Sequence, residues 1–188
     1  MSPVTHCLTG WVLASAAGLN RRERAVVTVA AVIPDVDGLG IVVELLTRHS
    51  QHPLLWFSEY HHHLHTLFFA AVVSVCAFLI SESRLVGAVF AFVTFHLHLL
   101  EDLVGSRGPD GFGWPIPYLF PFSSRWNWTW QGQWELNGWP NVALTVALIL
   151  VTLWIVVNRG FSPVDLFSRR ADQTVVNALR KRFQTTGA

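Results

Sequence analysis

The chain has little charge and little cysteine for its length. Of its 188 residues, only 13% are charged and 52% are hydrophobic, whereas a soluble domain usually carries roughly 25% charged residues. This composition excludes an ordinary soluble domain and is typical of an integral membrane protein. The two cysteines, Cys7 and Cys76, lie far apart within apolar segments, so we expect small buried side chains rather than a disulfide.

Positive charge is neither abundant nor gathered into a patch. The net charge is +1, and the arginines are not interleaved with stacking aromatics on a polar surface, which excludes nucleic acid as a partner. No positive residue precedes the first apolar stretch, so we expect a retained helix there rather than a signal peptide. The chain also lacks internal repeats and low-complexity linkers. We therefore expect one membrane-embedded domain over residues 1–160 and a basic cytoplasmic tail over 161–188.

Five apolar segments predict the fold. They cover residues 4–19, 25–46, 64–80, 85–103 and 142–157. A membrane span needs about 20 helical residues, with a lower limit near 17, so the last three segments are credible spans and the first two are marginal. The sequence predicts an all-α integral membrane bundle of about five hydrophobic helices.

A loop rich in tryptophan and proline precedes the last apolar segment. Six of the nine tryptophans lie between Trp114 and Trp139, and repeated prolines prevent a long helix there. One interpretation is a belt of indoles at the headgroup level. The other is a lid that holds a lipid-like substrate, with Arg125 contacting a phosphate and Trp126 facing a cationic headgroup.

The C-terminal segment has an amphipathic pattern. Four apolar residues recur there at helical spacing, and basic residues lie on the opposite face. The apolar residues are Val175, Val176, Leu179 and Phe183. We expect a basic amphipathic helix that anchors the chain to the anionic inner leaflet.

The distribution of lysine and arginine predicts the orientation in the membrane. Ten basic residues fall on the side of the tail: Arg21, Arg22, Arg24, Arg84, Arg159, Arg169, Arg170, Arg180, Lys181 and Arg182. The other side has three: Arg48, Arg107 and Arg125. Because basic residues favour the cytoplasmic side, we expect a cytoplasmic C-terminus.

In that orientation, histidines and aspartates from different segments gather toward the outer side. They are His6, Asp35, Asp37, His61, His62, His65, His98 and Asp102. One ionisable residue at membrane depth costs about 2.5 to 3.5 kcal/mol on insertion scales. Several at one level therefore imply a shared compensation, such as a metal ion or a proton relay.

Spacing within the fourth segment supports a metal site. His98 and Asp102 are four residues apart, so on a helix they lie on one face and could bind the same cation. Glu101, on roughly the same side, is a candidate for supporting a ligand or acting as a base. The alternative is a simple hydrogen bond between His98 and Asp102 at a helix end.

The other candidates also have two interpretations. His65 pairs at helical spacing with either His61 or His62, and the sequence does not choose between them; a solvated histidine run is the alternative. The turn at "VIPDVDGLG" either aims Asp35 and Asp37 inward or uses them as helix caps. A lone histidine such as His6 is more often a buried core residue than a ligand, and only the other candidates support it.

Four blocks of sequence carry a family resemblance. "THCLTGWVLA", "IPDVDG", "YHHHLHTLF", and "HLHLLEDLVGSRG" followed by "LFPFS" resemble, in that order and over roughly residues 4–124, the inner-membrane metal-dependent hydrolases labelled YdjM-like. That family is in turn similar to zinc-dependent phospholipase C. The resemblance implies metal-binding or catalytic roles for six residues: His6, Asp35, Asp37, His65, His98 and Asp102. The family often has a histidine where this chain has Tyr60, so His61 or His62 must substitute for it.

We therefore expect a membrane hydrolase for a phosphoester or ester, with membrane lipids as partners and a lipid-like substrate. One or two divalent ions, expected to be zinc, would activate water. Asp35 or Asp37 would bridge or act as base, with Glu101 in reserve. The alternatives are a metal- or proton-handling transporter, and a non-catalytic membrane protein stabilised by metal.

Overall fold

Helices account for the regular secondary structure of the protein. The structure is a computed structural model, and it describes residues 1–108 and 111–184; within these ranges it contains no β-strand beyond isolated bridges. The helices are α1 (Pro3–Ala16), α2 (Arg21–Val32), α3 (Gly40–Thr47), α4 (Trp56–Tyr60), α5 (Leu67–Ile80), α6 (Arg84–Gly105), α7 (Trp139–Arg159) and α8 (Arg169–Gln184). Short 3-10 turns cover Ile33–Leu39 and Pro163–Leu166. The prediction of an all-α bundle with a Trp/Pro-rich loop and a C-terminal amphipathic helix is confirmed.

Polar caps determine where several helices begin. The Asn20 side chain accepts hydrogen bonds from two backbone N–H groups at the start of α2, and Thr66 accepts one from Phe69 at the start of α5. Such caps satisfy donors that have no partner within the helix. Because the cap is Thr66, α5 begins at Leu67, three residues later than the apolar pattern indicated.

The lengths of the helices differ from the sequence prediction in two places. Three helical stretches are long and apolar enough to cross a membrane: Arg21–Thr47, Arg84–Gly105 and Trp139–Arg159. The second apolar segment, expected to be a marginal membrane span, lies within a helical stretch of 27 residues that includes the 3-10 turn. The third segment, expected to be a span, forms a helix of 14 residues, which is about 21 Å long.

A close approach between α1 and α2 brings His6 toward the end of α2. A Cβ at Gly10 would lie 2.5 Å from the Ala31 Cβ, so only glycine permits this packing. Small residues allow helix backbones to approach in this way. Gly10 follows His6 by about one turn, and Ala31 precedes Asp35 by about one turn, so the contact brings both side chains to the same end of the bundle.

The C-terminal helix packs on the bundle rather than lying apart from it. Val176 is buried in one cluster with Trp11, Ile155 and Val156, and Leu179 packs against that cluster. Ser162 donates to the Asp172 carboxylate and fixes the start of α8. The apolar face of α8 is therefore partly buried against the end of the bundle, and its predicted attachment to the inner leaflet stays a prediction.

The cysteines are unpaired, as expected, but Cys76 is exposed rather than buried.

Candidate metal centre

Side chains from three separate parts of the chain meet at one end of the bundle. His6 comes from α1, Asp35 from the 3-10 turn after α2, and His98 and Asp102 from α6. Each offers a ligand atom, and these atoms lie within 4.8 Å of one another. His6, His98 and Asp102 are buried, and Asp35 is partly exposed. This group could hold a metal ion.

The Asp102 carboxylate is the centre of the group. Its Oδ2 lies 3.1 Å from His98 Nε2, and its Oδ1 lies 3.2 Å from His6 Nε2. His65, from the loop before α5, adds its Nε2 at 3.4 Å from Asp102 Oδ2. Tetrahedral zinc, with ligand bonds of about 2.1 Å, would place ligand atoms about 3.4 Å apart. The separations from Asp102 are close to that spacing, and all four ligand atoms of the group lie within 4.8 Å of one another.

The second ring nitrogen of two of the three histidines is hydrogen-bonded to an acceptor. His6 Nδ1 is 2.5 Å from Glu101 Oε2, and His98 Nδ1 is 2.7 Å from the Ala31 carbonyl oxygen. His65 Nδ1 lies 3.6 Å from Asp37 Oδ2 and has no hydrogen-bond partner. Metal-binding histidines commonly have such partners, which fix the tautomer and the ring orientation. Here the partners leave the three Nε2 atoms facing the carboxylates.

Asp37 organises the histidine loop. Its Oδ2 accepts hydrogen bonds from the backbone N–H groups of His62 and Leu64, at 2.9 and 3.1 Å, and its Oδ1 lies 2.8 Å from His61 Nδ1. Asp37 and His61 are paired with each other and are not among the four residues grouped above. Their predicted roles as metal ligands stay predictions.

His62 has an unusual conformation beside the cluster. Its φ of 89° lies in the left-handed region, which costs a residue other than glycine free energy and is often found at functional sites. Burial, with the nearby His65 and His61, lowers the pKa of His62 to about 3, so its ring is neutral at pH 7. The loop consists of turns, so the helical spacing proposed for His61 or His62 with His65 does not apply.

A small cavity adjoins the cluster. Its volume is about 130 Å³, room for about four water molecules. Its walls include Asp35, Asp102, His61, His62 and Trp114. The Trp114 ring meets the His62 ring edge-on at a centroid distance of 4.4 Å. Solvent or part of a small substrate could therefore reach the two carboxylates.

The centre contains buried polar atoms without hydrogen-bond partners. His6 Nε2 and Asp35 Oδ2 are such atoms among the described residues, and an unsatisfied buried polar atom is costly. The α-amino group of Met1 contacts Asp102 and Ser106. A divalent cation would satisfy the unpaired nitrogen and oxygen together, so the residues present fit a metal ion.

The substrate contacts predicted in the Trp/Pro-rich loop lie elsewhere. Arg125 is exposed, and Trp126 is 54% exposed and faces the Tyr118 ring. The sequence prediction missed Trp114, which lines the cavity, and Gln133, which donates to the Asp102 carbonyl oxygen at 2.9 Å and accepts from the Trp114 backbone N–H. No local signal distinguishes Trp114 from the other five tryptophans of the loop.

Glu101 supports the centre in a way that spacing only partly indicated. Its carboxylate lies beside His6 Nδ1 and accepts a hydrogen bond from the Thr9 hydroxyl at 2.5 Å. Because these partners lie more than 90 residues away in the sequence, no local pattern could have identified them.

Fold and site together define a helical membrane protein with a buried cluster of histidines and carboxylates. The chain belongs to the YdjM inner membrane protein family, whose model matches residues 1–164. Comparison with curated proteins and with solved structures finds no match. The family expected from the four sequence blocks is thus confirmed, while the likeness to zinc-dependent phospholipase C stays a prediction.

Proposed function

We propose that the protein is a membrane-bound metal-dependent hydrolase that cleaves a phosphoester or ester. The observation that carries the proposal is the convergence of three imidazole Nε2 atoms on Asp102 and Asp35, with Nδ1 of His6 and of His98 hydrogen-bonded to an acceptor. Neutral imidazole and carboxylate are suitable ligands for zinc and other first-row divalent ions. We therefore propose one zinc ion held by His6, His98 and Asp102, with His65 beside them and Asp35 at the open side of the site.

A metal explains the cluster better than a network of hydrogen bonds does. His98 Nε2 and His65 Nε2 lie 3.1 Å apart, and without a cation this contact requires a proton on one of the two nitrogens. His6 Nε2 and Asp35 Oδ2 have no hydrogen-bond partner. One divalent ion would compensate all four groups at once.

The cavity favours catalysis over a purely structural role. A structural metal site is normally closed by four protein ligands, whereas a catalytic site keeps a position for water or substrate. Here the cavity borders Asp35 and Asp102. A metal bound there would polarise a phosphoryl or carbonyl oxygen and lower the pKa of a water molecule toward 7.

The protein residues have distinct roles in this proposal. Asp35, partly exposed at the cavity, is positioned to accept a proton from the attacking water. Glu101 and Asp37 are positioning residues, which orient His6 and the histidine loop.

We further propose that the centre faces the outer side of the membrane and acts on a lipid or lipid-linked ester at headgroup level. Contacts such as Arg24 with Asp165 place the basic residues at the end of the bundle opposite the cluster. Basic residues favour the cytoplasmic side. Single cysteines at Ser123 and Ser168, in a chain with Cys7 and Cys76 replaced, should react with an impermeant maleimide from opposite sides. Labelling from the same side would overturn the orientation.

The hydrolase proposal is tested with purified protein and a panel of phosphomonoester, phosphodiester and acyl-ester substrates. We expect one class to be cleaved, activity to disappear with a chelator, and zinc to restore it. His65→Ala should be inactive. His96→Ala is the matched control, because His96 contacts Tyr118 away from the cluster, and it should retain activity. Hydrolysis that ignores both the chelator and His65→Ala would contradict the mechanism.

A further inference from the structure

The end of the bundle opposite the metal centre has a cavity lined by arginines. Its volume is about 510 Å³, and Arg21, Arg22 and Arg169 line it together with Glu82. Arg21 is committed to Asp165, with its Nε 3.1 Å from the carboxylate. The Asn20 side chain donates to the Glu82 carboxylate at 3.1 Å. The carboxylate beside the arginines is thus already hydrogen-bonded.

Two of these arginines are available to a ligand. Arg22 and Arg169 are exposed, and neither forms a salt bridge with any residue in the described part of the chain. Exposed guanidinium groups on one cavity wall attract an anion, and arginine is well suited to phosphate because it can donate two parallel hydrogen bonds.

An apolar groove begins beside this cavity. It lies between α2 and α5 and has a volume of about 400 Å³. Its walls are apolar side chains and Cys76, and Val29 and Ile80 on its sides are about half exposed. On α2 the groove runs from Ala25 to Ile33, eight residues along the helix, or about 12 Å.

The arginine cavity and the groove adjoin each other. Ala25 lines both, so a molecule with an anionic end and an apolar chain could occupy them together. The groove continues into the apolar part of the bundle, while the arginines lie at its end. A phospholipid has the matching shape, with an anionic headgroup at one end and apolar acyl chains at the other. Basic pockets between membrane helices on the cytoplasmic side are known to bind anionic headgroups.

We propose that this composite site binds an anionic phospholipid, with its phosphate at Arg22 and Arg169 and one acyl chain in the groove between α2 and α5. The arginine part of the site lies at the other end of the bundle from the metal centre, and none of the lining residues belongs to that centre, so binding there does not depend on hydrolase activity. A lipid bound there would fasten α5, a helix of only 14 residues, to α2.

The test is native mass spectrometry of the full chain released from detergent, with phosphatidylglycerol, phosphatidylcholine or inorganic phosphate added. We expect one phosphatidylglycerol molecule to remain bound to the protein. Phosphatidylcholine should be retained less, and inorganic phosphate alone should not be retained. Arg22→Ala with Arg169→Ala should weaken phosphatidylglycerol binding at least about tenfold, since each basic residue near a membrane surface contributes about 1 kcal/mol.

Matched variants separate this site from general attraction to anionic lipid. Arg170→Ala with Arg182→Ala removes two exposed charges from α8 outside the cavity and should leave binding unchanged. Val29→Trp should fill the groove and weaken binding, whereas Val75→Trp, on the exposed side of α5 outside the groove, should not.

Three results would overturn the proposal. They are equal weakening by both pairs of arginine variants, stabilisation by inorganic phosphate equal to that by lipid, and binding that is insensitive to Val29→Trp. A thermal melt of each variant without added lipid shows whether it is folded. If Arg22→Ala with Arg169→Ala lowers the melting temperature by itself, the groove variants still decide.

Discussion

The two ends of the bundle bury ionisable side chains in opposite ways. At the basic end, Asp165 lies 2.8 Å from Arg24, and the Arg24 guanidinium also lies over the Phe161 ring at 4.0 Å. At the other end, Asp102 and Asp35 face three histidines. Apart from the Met1 amino group, the described salt bridges there involve no permanent cation.

This difference separates a structural cluster from a candidate functional one. The basic end contains its own counterions, and its ion pair holds α2 to the segment before α8. At the histidine end, unpaired atoms face one another, with His6 Nε2 4.0 Å from Asp35 Oδ2. Single unpaired atoms also occur at the basic end, at Arg24 Nε and Glu23 Oε2. Because polar groups are rarely buried without a partner, two unpaired ligand atoms that face each other indicate a partner that contacts both. The comparison predicts different responses to mutation at the two ends.

The largest effect on folding is expected at the basic end. Arg24→Ala would remove the buried partner of Asp165 and leave only Arg21 beside the carboxylate, and the loss of a hydrogen bond to a charged group costs about 1.5 to 3 kcal/mol. The loss is measured as a lower unfolding midpoint in detergent. Arg170→Ala, an exposed control, should change stability by less than about 0.5 kcal/mol. Similar unfolding midpoints for the two variants would show that the ion pair does not stabilise the fold.

A smaller effect, on metal binding rather than folding, is expected for Glu101→Gln. The change would weaken the acceptor beside His6 Nδ1, and loss of such a supporting contact typically lowers metal affinity 10- to 100-fold. Competition with a chelator of known affinity measures the change, and the unfolding midpoint of the metal-free protein should stay nearly constant. Glu59→Gln, on the exposed surface of α4, is the control. An unchanged affinity would show that Glu101 does not support a metal ligand.

The smallest effect is expected on substrate binding, and it tests whether Trp114 or Trp126 contacts the substrate. Trp114→Ala removes a wall of the cavity and should raise KM about threefold to tenfold, because a single aromatic contact contributes about 0.5 to 1.5 kcal/mol. The metal content should not change. Trp126→Ala should alter KM less than about twofold. The reverse order would favour the substrate site predicted from the sequence.

Local patterns predicted those parts of the site that lie within one helix. The four-residue spacing of His98 and Asp102 places both on one face of α6, and the structure brings them within 3.1 Å. For His61 and His65 the same spacing rule fails, because it requires a helix. Asp37 instead folds that segment into turns by accepting its backbone N–H groups, a contact across more than 20 residues.

Long-range packing accounts for the other differences. The amphipathic pattern of α8 is equally suited to a membrane surface and to the end of a helical bundle, and it does not predict the buried contact of Val176 with Trp11 and Ile155. Glu101 beside His6, and Trp114 beside His62, also depend on how distant segments pack. Hydropathy and spacing therefore predict the helices and one ligand pair, but not the supporting contacts.

The most direct test of the central claim is elemental analysis of the purified protein beside a variant with His98→Ala and Asp102→Ala. The account predicts about one divalent metal ion per chain in the wild type and in His96→Ala, and none in the double variant. Equal metal content in the wild type and the double variant, or a wild-type protein that binds no divalent metal when zinc is supplied, would contradict it.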